Sequence, residues 1–376
     1  AAKAAEVMPA VRVLLAGGGT AGHVEPALAT ADALHGVCQQ TGIDCEITVL
    51  GTAEGLEATL VPARGYHLAT VPKVVMPRRI ATDLFTVLPR LRSARDRAEQ
   101  ILRERDIDVV VGFGGYASAP AYWAAHRLGI PIVVHEANVR PGLANRLGAR
   151  WAQLVVTGLP GTSLPGAQFV GMPMRSALQD LERAALRPQA RDMFALDERP
   201  VVLVFGGSSG ARRLNNAMLG AQGSLAAMGV QVLLVAGREQ VDAVAAQADA
   251  SVITVVPYIE RMDLAYSVAD LVVGRAGAMT CAELACVGIP SVLVPLPVGN
   301  GEQRFNAESL VTTGAAIVIP DTDFSAQTVR SRVLPLVGDP AALSRMSESA
   351  RRLARPGADR ELAELTLGLV LPGVRR

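Results

Sequence analysis

Short, almost uniformly apolar runs recur along the whole chain, each followed by a segment of helical length, and no other feature constrains the fold as tightly. The runs are Arg12–Ala16, Glu46–Leu50, Val109–Gly112, Ile132–His135, Leu154–Thr157, Val201–Phe205, Gln231–Ala236, Val252–Val256, Leu271–Gly274, Ser291–Val294 and Ala316–Ile319. A strand with one face in water alternates apolar and polar residues. Most of these do not, so they read as parallel strands covered by helices on both faces. Strict βα alternation predicts a doubly wound α/β fold.

The pattern also restarts. "VRVLLAGGGTAGHVEPALATADAL" and "PVVLVFGGSSGARRLNNAMLGAQ" share the order strand, glycine loop, polar or basic residue, helix, and a Pro- and Gly-rich stretch of weak periodicity separates them. Two Rossmann-like domains are expected, 1–172 and 173–355, followed by a C-terminal helix within 356–376 that is free to cap the second domain or return to the first. Ligands of such sheets sit at the carboxyl ends of the strands, which puts the expected site in a cleft between the domains.

At 376 residues the chain is long enough for two cores. Its formal charge of +1 exerts no global pull on nucleic acid or anionic lipid. Cys38, Cys45, Cys281 and Cys286 match neither a zinc knuckle nor a C-x-x-C pair, so reduced thiols are expected. The N-terminal stretch carries no A-x-A-like cleavage pattern and is not read as a signal peptide. The uncharged stretch 109–125 is interrupted by glycines and Pro120, and reads as strand, turn and helix start rather than as a bilayer span, which needs about 20 residues of one helix.

Three glycine loops stand out: GGGTAGH (17–23), GFGGYAS (112–118) and GGSSGAR (206–212). Glycine lets backbone approach a ligand, and the helix that follows offers free N–H groups to phosphate. The first loop satisfies the G-x-G-x-x-G of dinucleotide sites. That fingerprint also needs an acid at the carboxyl end of the second strand; Asp44 and Glu46 lie at the other end, leaving Glu54 to argue for an NAD-dependent oxidoreductase. His23, in the first turn of the helix, is the candidate general base. Asp106-x-Asp108 and Asp321-x-Asp323 mimic a metal motif but read as turn and cap residues, Asp323 or Ser325 serving as N-cap. No metal is expected.

Together "GGGTAGHVEPALA", "GFGGYASAPA", "HEAN", "GMPMR", "GGSSGARRLN", "PYIERM", "RAGAMTCAELACVGIPSVLVP" and "GNGEQRFNA" resemble, in order and spacing, the MurG family of GT-B glycosyltransferases, over about residues 11 to 350. The resemblance implies a GT-B fold of two Rossmann-like domains around a cleft. It also implies inverting transfer of N-acetylglucosamine (GlcNAc) from UDP-GlcNAc to the C4 hydroxyl of the muramoyl sugar of lipid I, giving lipid II, without a cofactor. By the same resemblance, the Ile259 backbone reads uracil and Glu283 holds the ribose. Ala278, Met279 and Thr280 meet the diphosphate with Ser208 and Arg175. Thr20, Ala21, Gly22, Asn138 and Gln303 surround the sugar. His23 is the base, with Glu136 as a second candidate or, equally, a structural partner of the loop at Asn138. The family further implies a peripheral protein at the cytoplasmic face of the membrane, with other cell-wall and division proteins as partners and no nucleic acid.

A lipid-linked acceptor calls for a membrane-facing surface. Residues 73–97 carry a net charge of +5, with Val74, Val75, Met76, Ile80, Leu84 and Phe85 among the basic residues. This combination suits anionic headgroups, with contact expected over 74–85. The chain departs from the common family pattern at Ala21, Glu25 and Ser209, and Glu25 places a charge beside His23. Rival readings are the NAD oxidoreductase, a GT-B transferase with another lipid or glycoside acceptor, and a non-catalytic nucleotide-sugar-binding protein.

Overall fold

The structure, a computed structural model, describes residues 10–74, 84–206, 211–297 and 301–371, with backbone alone for 84–88. The chain forms two compact units. One comprises the described residues up to Met174 together with the segment from Gly357; the other is Arg175–Pro356.

In unit 1, seven strands alternate with helices: β1 (Val11–Ala16), α1 (Ala21–Thr41), β2 (Cys45–Gly51), α2 (Glu57–Ala63), β3 (His67–Thr70), α3 (Leu84–Glu104), β4 (Val109–Gly112), α4 (Ser118–Leu128), β5 (Ile132–Glu136), α5 (Leu143–Gly148), β6 (Leu154–Thr157) and β7 (Gln168–Phe169). They form one sheet in the order β3-β2-β1-β4-β5-β6-β7. Every pairing is parallel; Leu15 on β1, for example, stands opposite Val49 on one side and Val111 on the other. Alternate residues of β1 feed opposite layers. Val13 and Leu15 pack beneath α1 with Leu28 and Leu34, while Leu14 and Ala16 face Ala98 and Leu102 of α3 and Tyr122 of α4. Each such Val or Leu contributes roughly 1.5–3 kcal/mol by leaving water, which is why these strands read as continuous apolar runs. The C-terminal helix Ala358–Leu367 lays Leu362, Ala363 and Leu367 into the α1 layer.

Unit 2 repeats the plan. After α6 (Ser176–Gln179) and α7 (Arg183–Phe194) come β8 (Val201–Phe205), α8 (Arg212–Ala227), β9 (Gln231–Val235), α9 (Val241–Ala245), β10 (Ile253–Val256), α10 (Met262–Val268), β11 (Leu271–Gly274), α11 (Ala278–Val287), β12 (Ser291–Leu293), α12 (Glu302–Asn306) and, beyond one further helix, β13 (Ala316–Val318). Its sheet runs β10-β9-β8-β11-β12-β13, all parallel. Both sheets thus carry the order 3-2-1-4-5-6 of dinucleotide-type folds.

All eleven expected strands are present, within a residue or two at their ends. Two more, β3 and β7, escape a hydropathy reading because they are short edges. His67 and Thr70 of β3 are exposed, as is all of β7. The stretch 109–125 resolves into β4, a glycine turn and the start of α4. Among the described residues, no helix is long and apolar enough to cross a membrane.

Candidate functional site

In unit 1 the candidate residues gather at the carboxyl ends of β1, β4 and β5. The first glycine loop leaves β1 and turns at Gly19, whose φ is +91°. Thr20 is the N-cap of α1, so Ala21, Gly22 and His23 form its first turn. Thr20 Oγ1 lies 3.1 Å from His23 Nδ1, fixing the ring. The second loop closes on the first. A Cβ at Gly115 would sit 2.2 Å from the Gly18 carbonyl oxygen, and one at Gly114 would sit 3.2 Å from His23 Nε2. Only glycine permits that approach, and both residues have positive φ. Ser118 ties the second loop to the end of β1, donating to the Ala16 carbonyl at 2.8 Å. Burial pulls the half-buried His23 below the ordinary imidazole pKa, against the opposing effects of the Gly18 carbonyl and the Glu57 charge. His23 is therefore neutral near pH 7, the form a base requires.

Glu136 ends β5 and is 2% exposed. Its carboxylate accepts from the Asn138 N–H (2.8 Å), Asn138 Nδ2 (3.3 Å), the Gly142 N–H (3.0 Å) and Asn145 Nδ2 (2.9 Å). Burial raises its pKa, with these bonds opposing. Of the two roles open to it, the geometry displays that of a loop anchor, with Asn138 held in the anchored loop. Its neighbour His135 is fully buried and donates from Nε2 to the Gly171 carbonyl at 3.2 Å. Burial brings its pKa down to about 4, leaving it neutral.

In unit 2 the candidates cluster around the start of α11. The first N–H of that helix to find a partner inside it belongs to Cys281, donating to Gly277 O at 2.9 Å. Those of Ala278, Met279 and Thr280 point out of the helix end, as an anion site requires. One turn on, Glu283 accepts from Tyr266 Oη at 2.7 Å. Ile259, in the loop after β10, is buried. Gln303 Oε1 accepts from the N–H groups of Ala276 (3.2 Å) and Leu296 (2.9 Å), stapling the loops after β11 and β12. Arg175 is half-buried and caps α6.

Residues 13–157 match the N-terminal domain of glycosyltransferase family 28, and residues 201–361 match its C-terminal domain. The chain belongs to glycosyltransferase family 28. A relative from Acidothermus cellulolyticus, named UDP-N-acetylglucosamine–N-acetylmuramyl-(pentapeptide) pyrophosphoryl-undecaprenol N-acetylglucosamine transferase, is 50% identical over 361 residues, covering 94% of this chain and 97% of its own. A relative of the same name from Streptomyces coelicolor is 46% identical over 366 residues, covering 97% and 98%. Among solved structures, the crystal structure of Acinetobacter baumannii MurG superposes with a TM-score of 0.76 at 30% identity, covering 95% of this chain and 99% of that one. The fold is thus GT-B, and the chain is a sugar transferase rather than an NAD oxidoreductase.

Within this family 28 chain, several expectations meet the geometry differently. Glu54 is exposed in a turn. The acid that reaches the first glycine loop is Glu57, with its carboxylate bound to loop backbone rather than open to a ribose. Glu25 turns from His23 to Arg64, 3.7 Å away, which also holds Asp32. Asp108 accepts from the Arg12 N–H, and Asp321 bridges Arg275 and Arg213. Ser325, not Asp323, is the N-cap. Among the described residues, no group of three or more His, Cys, Asp or Glu side chains could hold a metal ion. Ser208, Val75, Met76 and Ile80 lie outside the described residues, and Leu84 and Phe85 are described only as helical backbone. Sequence reasoning passed over Glu57, Asn145, Tyr122 and Tyr266. Tyr122 donates to Asn145 Oδ1 (2.7 Å), and Asn145 in turn to Glu136, across 23 and 9 residues of chain. No local motif announces such a pairing.

Proposed function

We propose that this protein transfers N-acetylglucosamine from UDP-GlcNAc to the C4 hydroxyl of the muramoyl sugar of lipid I, forming lipid II with inversion. The observation that carries this reading is the near-full-length identity, half of all aligned residues, to a relative named for that transfer. In the step itself, the acceptor oxygen forms its bond to the anomeric carbon while the bond to the diphosphate breaks, and UDP leaves with the electron pair. The hydroxyl proton goes to the His23 imidazole, whose Nδ1 is held beside Thr20 Oγ1. Unit 2 supplies most of the donor contacts. The free N–H groups of Ala278, Met279 and Thr280, with Arg175 and Ser208, meet charge developing on the diphosphate. Glu283, oriented by Tyr266, holds the ribose, and the Ile259 backbone reads uracil. Gln303, Asn138, Thr20, Ala21 and Gly22 line the sugar. Glu136 shapes the loop at Asn138.

The acceptor's lipid tail motivates peripheral docking at the cytoplasmic face of the membrane through residues 75–85; Val74, expected to share in it, is instead buried in the core layer with Ala98 and Leu102 of α3. UDP release tests the acceptor assignment. With UDP-GlcNAc present, a short-chain lipid I analogue is expected to accelerate release far above donor hydrolysis. Equal acceleration by a simple glycoside lacking the pyrophosphoryl lipid would favour another acceptor.

A further inference from the structure

Beneath the first glycine loop lies a carboxylate that the mechanism above does not use. Glu57, the first residue of α2, is fully buried. Its Oε2 accepts from the Gly19 N–H at 3.0 Å, and its Oε1 from the Thr52 N–H at 2.8 Å and Thr52 Oγ1 at 2.7 Å. No Arg, Lys or His forms an ion pair with it among the described residues. A buried charge without a counterion is costly unless hydrogen bonds replace its water. Here they do. Burial alone would raise the carboxyl pKa, but donors from Gly19, Thr52 and its own backbone outweigh that and leave it below the ordinary value, hence ionised. The surrounding chain is glycine where the side chain lies. A Cβ at Gly18, Gly51 or Gly55 would come within 2.6 Å, 2.4 Å or 2.1 Å of a Glu57 atom. The loop is wrapped around this carboxylate, and Gly19, the residue it grips, directly precedes the helix turn that carries His23.

We infer that Glu57 is a positioning residue for the His23 base: it pins the glycine loop through the Gly19 N–H and keeps a fixed negative charge under the loop that leads into the His23 turn. The inference rests on the reading of His23 as the base. When His23 takes the acceptor proton it becomes a cation in a partly desolvated place, where a preorganised negative charge stabilises it without reorganising. Of the other charged or titratable groups on the surrounding elements, Glu54 is exposed in the turn before α2, and those that follow are engaged elsewhere. Glu25 and Asp32 of α1 bind Arg64, and Tyr66 binds Asp32. Tyr116 lies against Gly19 beneath Lys73. Tyr122 is bound to Asn145, His135 to the Gly171 carbonyl, and Glu136 to the loop it anchors.

The test compares Glu57→Gln and Glu57→Asp in the full chain by two readouts. One is the His23 titration, followed by histidine-selective NMR and assigned by the resonance lost in His23→Asn. The other is the acidic limb of kcat against pH. Loss of the charge in Glu57→Gln is expected to lower the His23 pKa and move the kcat limb to lower pH by about half a unit. Plateau kcat should fall about tenfold, with the KM for UDP-GlcNAc within about twofold. Glu57→Asp keeps the charge and should leave both midpoints near wild type while loosening the loop. An unmoved His23 titration in Glu57→Gln, or an equal shift in Glu57→Asp, overturns the role of Glu57. A shifted His23 titration with an unmoved kcat limb instead overturns the assignment of His23 as base. Should Glu57→Gln not fold, Thr52→Val removes one donor from Oε1 and weakens the hold on the charge. It leaves the carboxylate charged, so both midpoints should stay near wild type while plateau kcat falls through the looser loop, and an unchanged plateau kcat would again overturn the role.

Discussion

His23 shows what a single side chain in this chain can and cannot announce. Its place after a glycine loop and before a helix marked it as a candidate, and the structure adds Thr20 at Nδ1 and the bare Cα of Gly114 beside Nε2. His23→Ala should lower kcat by about 10²- to 10⁴-fold, the range of a lost general base, while the KM for UDP-GlcNAc changes within about threefold. An unchanged kcat would remove it as base. In wild type, the acidic limb of kcat should fall below the ordinary imidazole value, because burial holds the His23 pKa down. Above that limb His23 is neutral and active; as pH falls through it, the base is lost. Glu283 makes a separate case. Its carboxylate is oriented by Tyr266 Oη, and Glu283→Ala should weaken UDP binding by about tenfold or more, the worth of a hydrogen bond to a charged group. Calorimetry showing unaltered affinity would refute the ribose role. Both residues were readable because they sit inside recognisable motifs. Glu57 was not, because its meaning depends on Gly19, 38 residues away in sequence.

At the scale of elements, the two glycine loops work as one piece. The loop after β4 needs φ of +94° at Gly114, and an added methyl would meet the His23 ring. Gly114→Ala should cost about 1–3 kcal/mol of stability from backbone strain and also reduce kcat. Chemical denaturation and turnover together check this, and a variant unchanged in both would show that the loops are not coupled. The strands were legible because each is buried on both faces and so leaves an unbroken apolar run, as in β4, β8 and β9. The edges β3 and β7 gain little from burial, and nothing in their composition marks them. The contact between the first two loops, set by the Gly18 carbonyl against Gly115, depends on the β1–β4 pairing and is invisible in a linear reading.

For the whole molecule, the restart of the βα pattern correctly indicated two sheets, and both adopt the same strand order. The sequence left the place of the last helix open. The structure packs Ala358–Leu367 on unit 1, because Leu362, Ala363 and Leu367 complete the apolar layer over α1. With a formal charge of only +1 overall, membrane attraction has to be local, and the basic, apolar stretch at 73–97 is where it is proposed. The double variant Ile80→Asp with Phe85→Asp should lose most binding to vesicles containing anionic lipid while keeping its thermal midpoint. Full retention of binding would place the docking surface elsewhere. The central claim is the transfer itself. With radiolabelled UDP-GlcNAc and a short-chain lipid I analogue, wild-type protein should place label on the acceptor in a β-linked disaccharide, and His23→Ala should not. Release of UDP at the rate of donor hydrolysis, with no label on the acceptor, would contradict it.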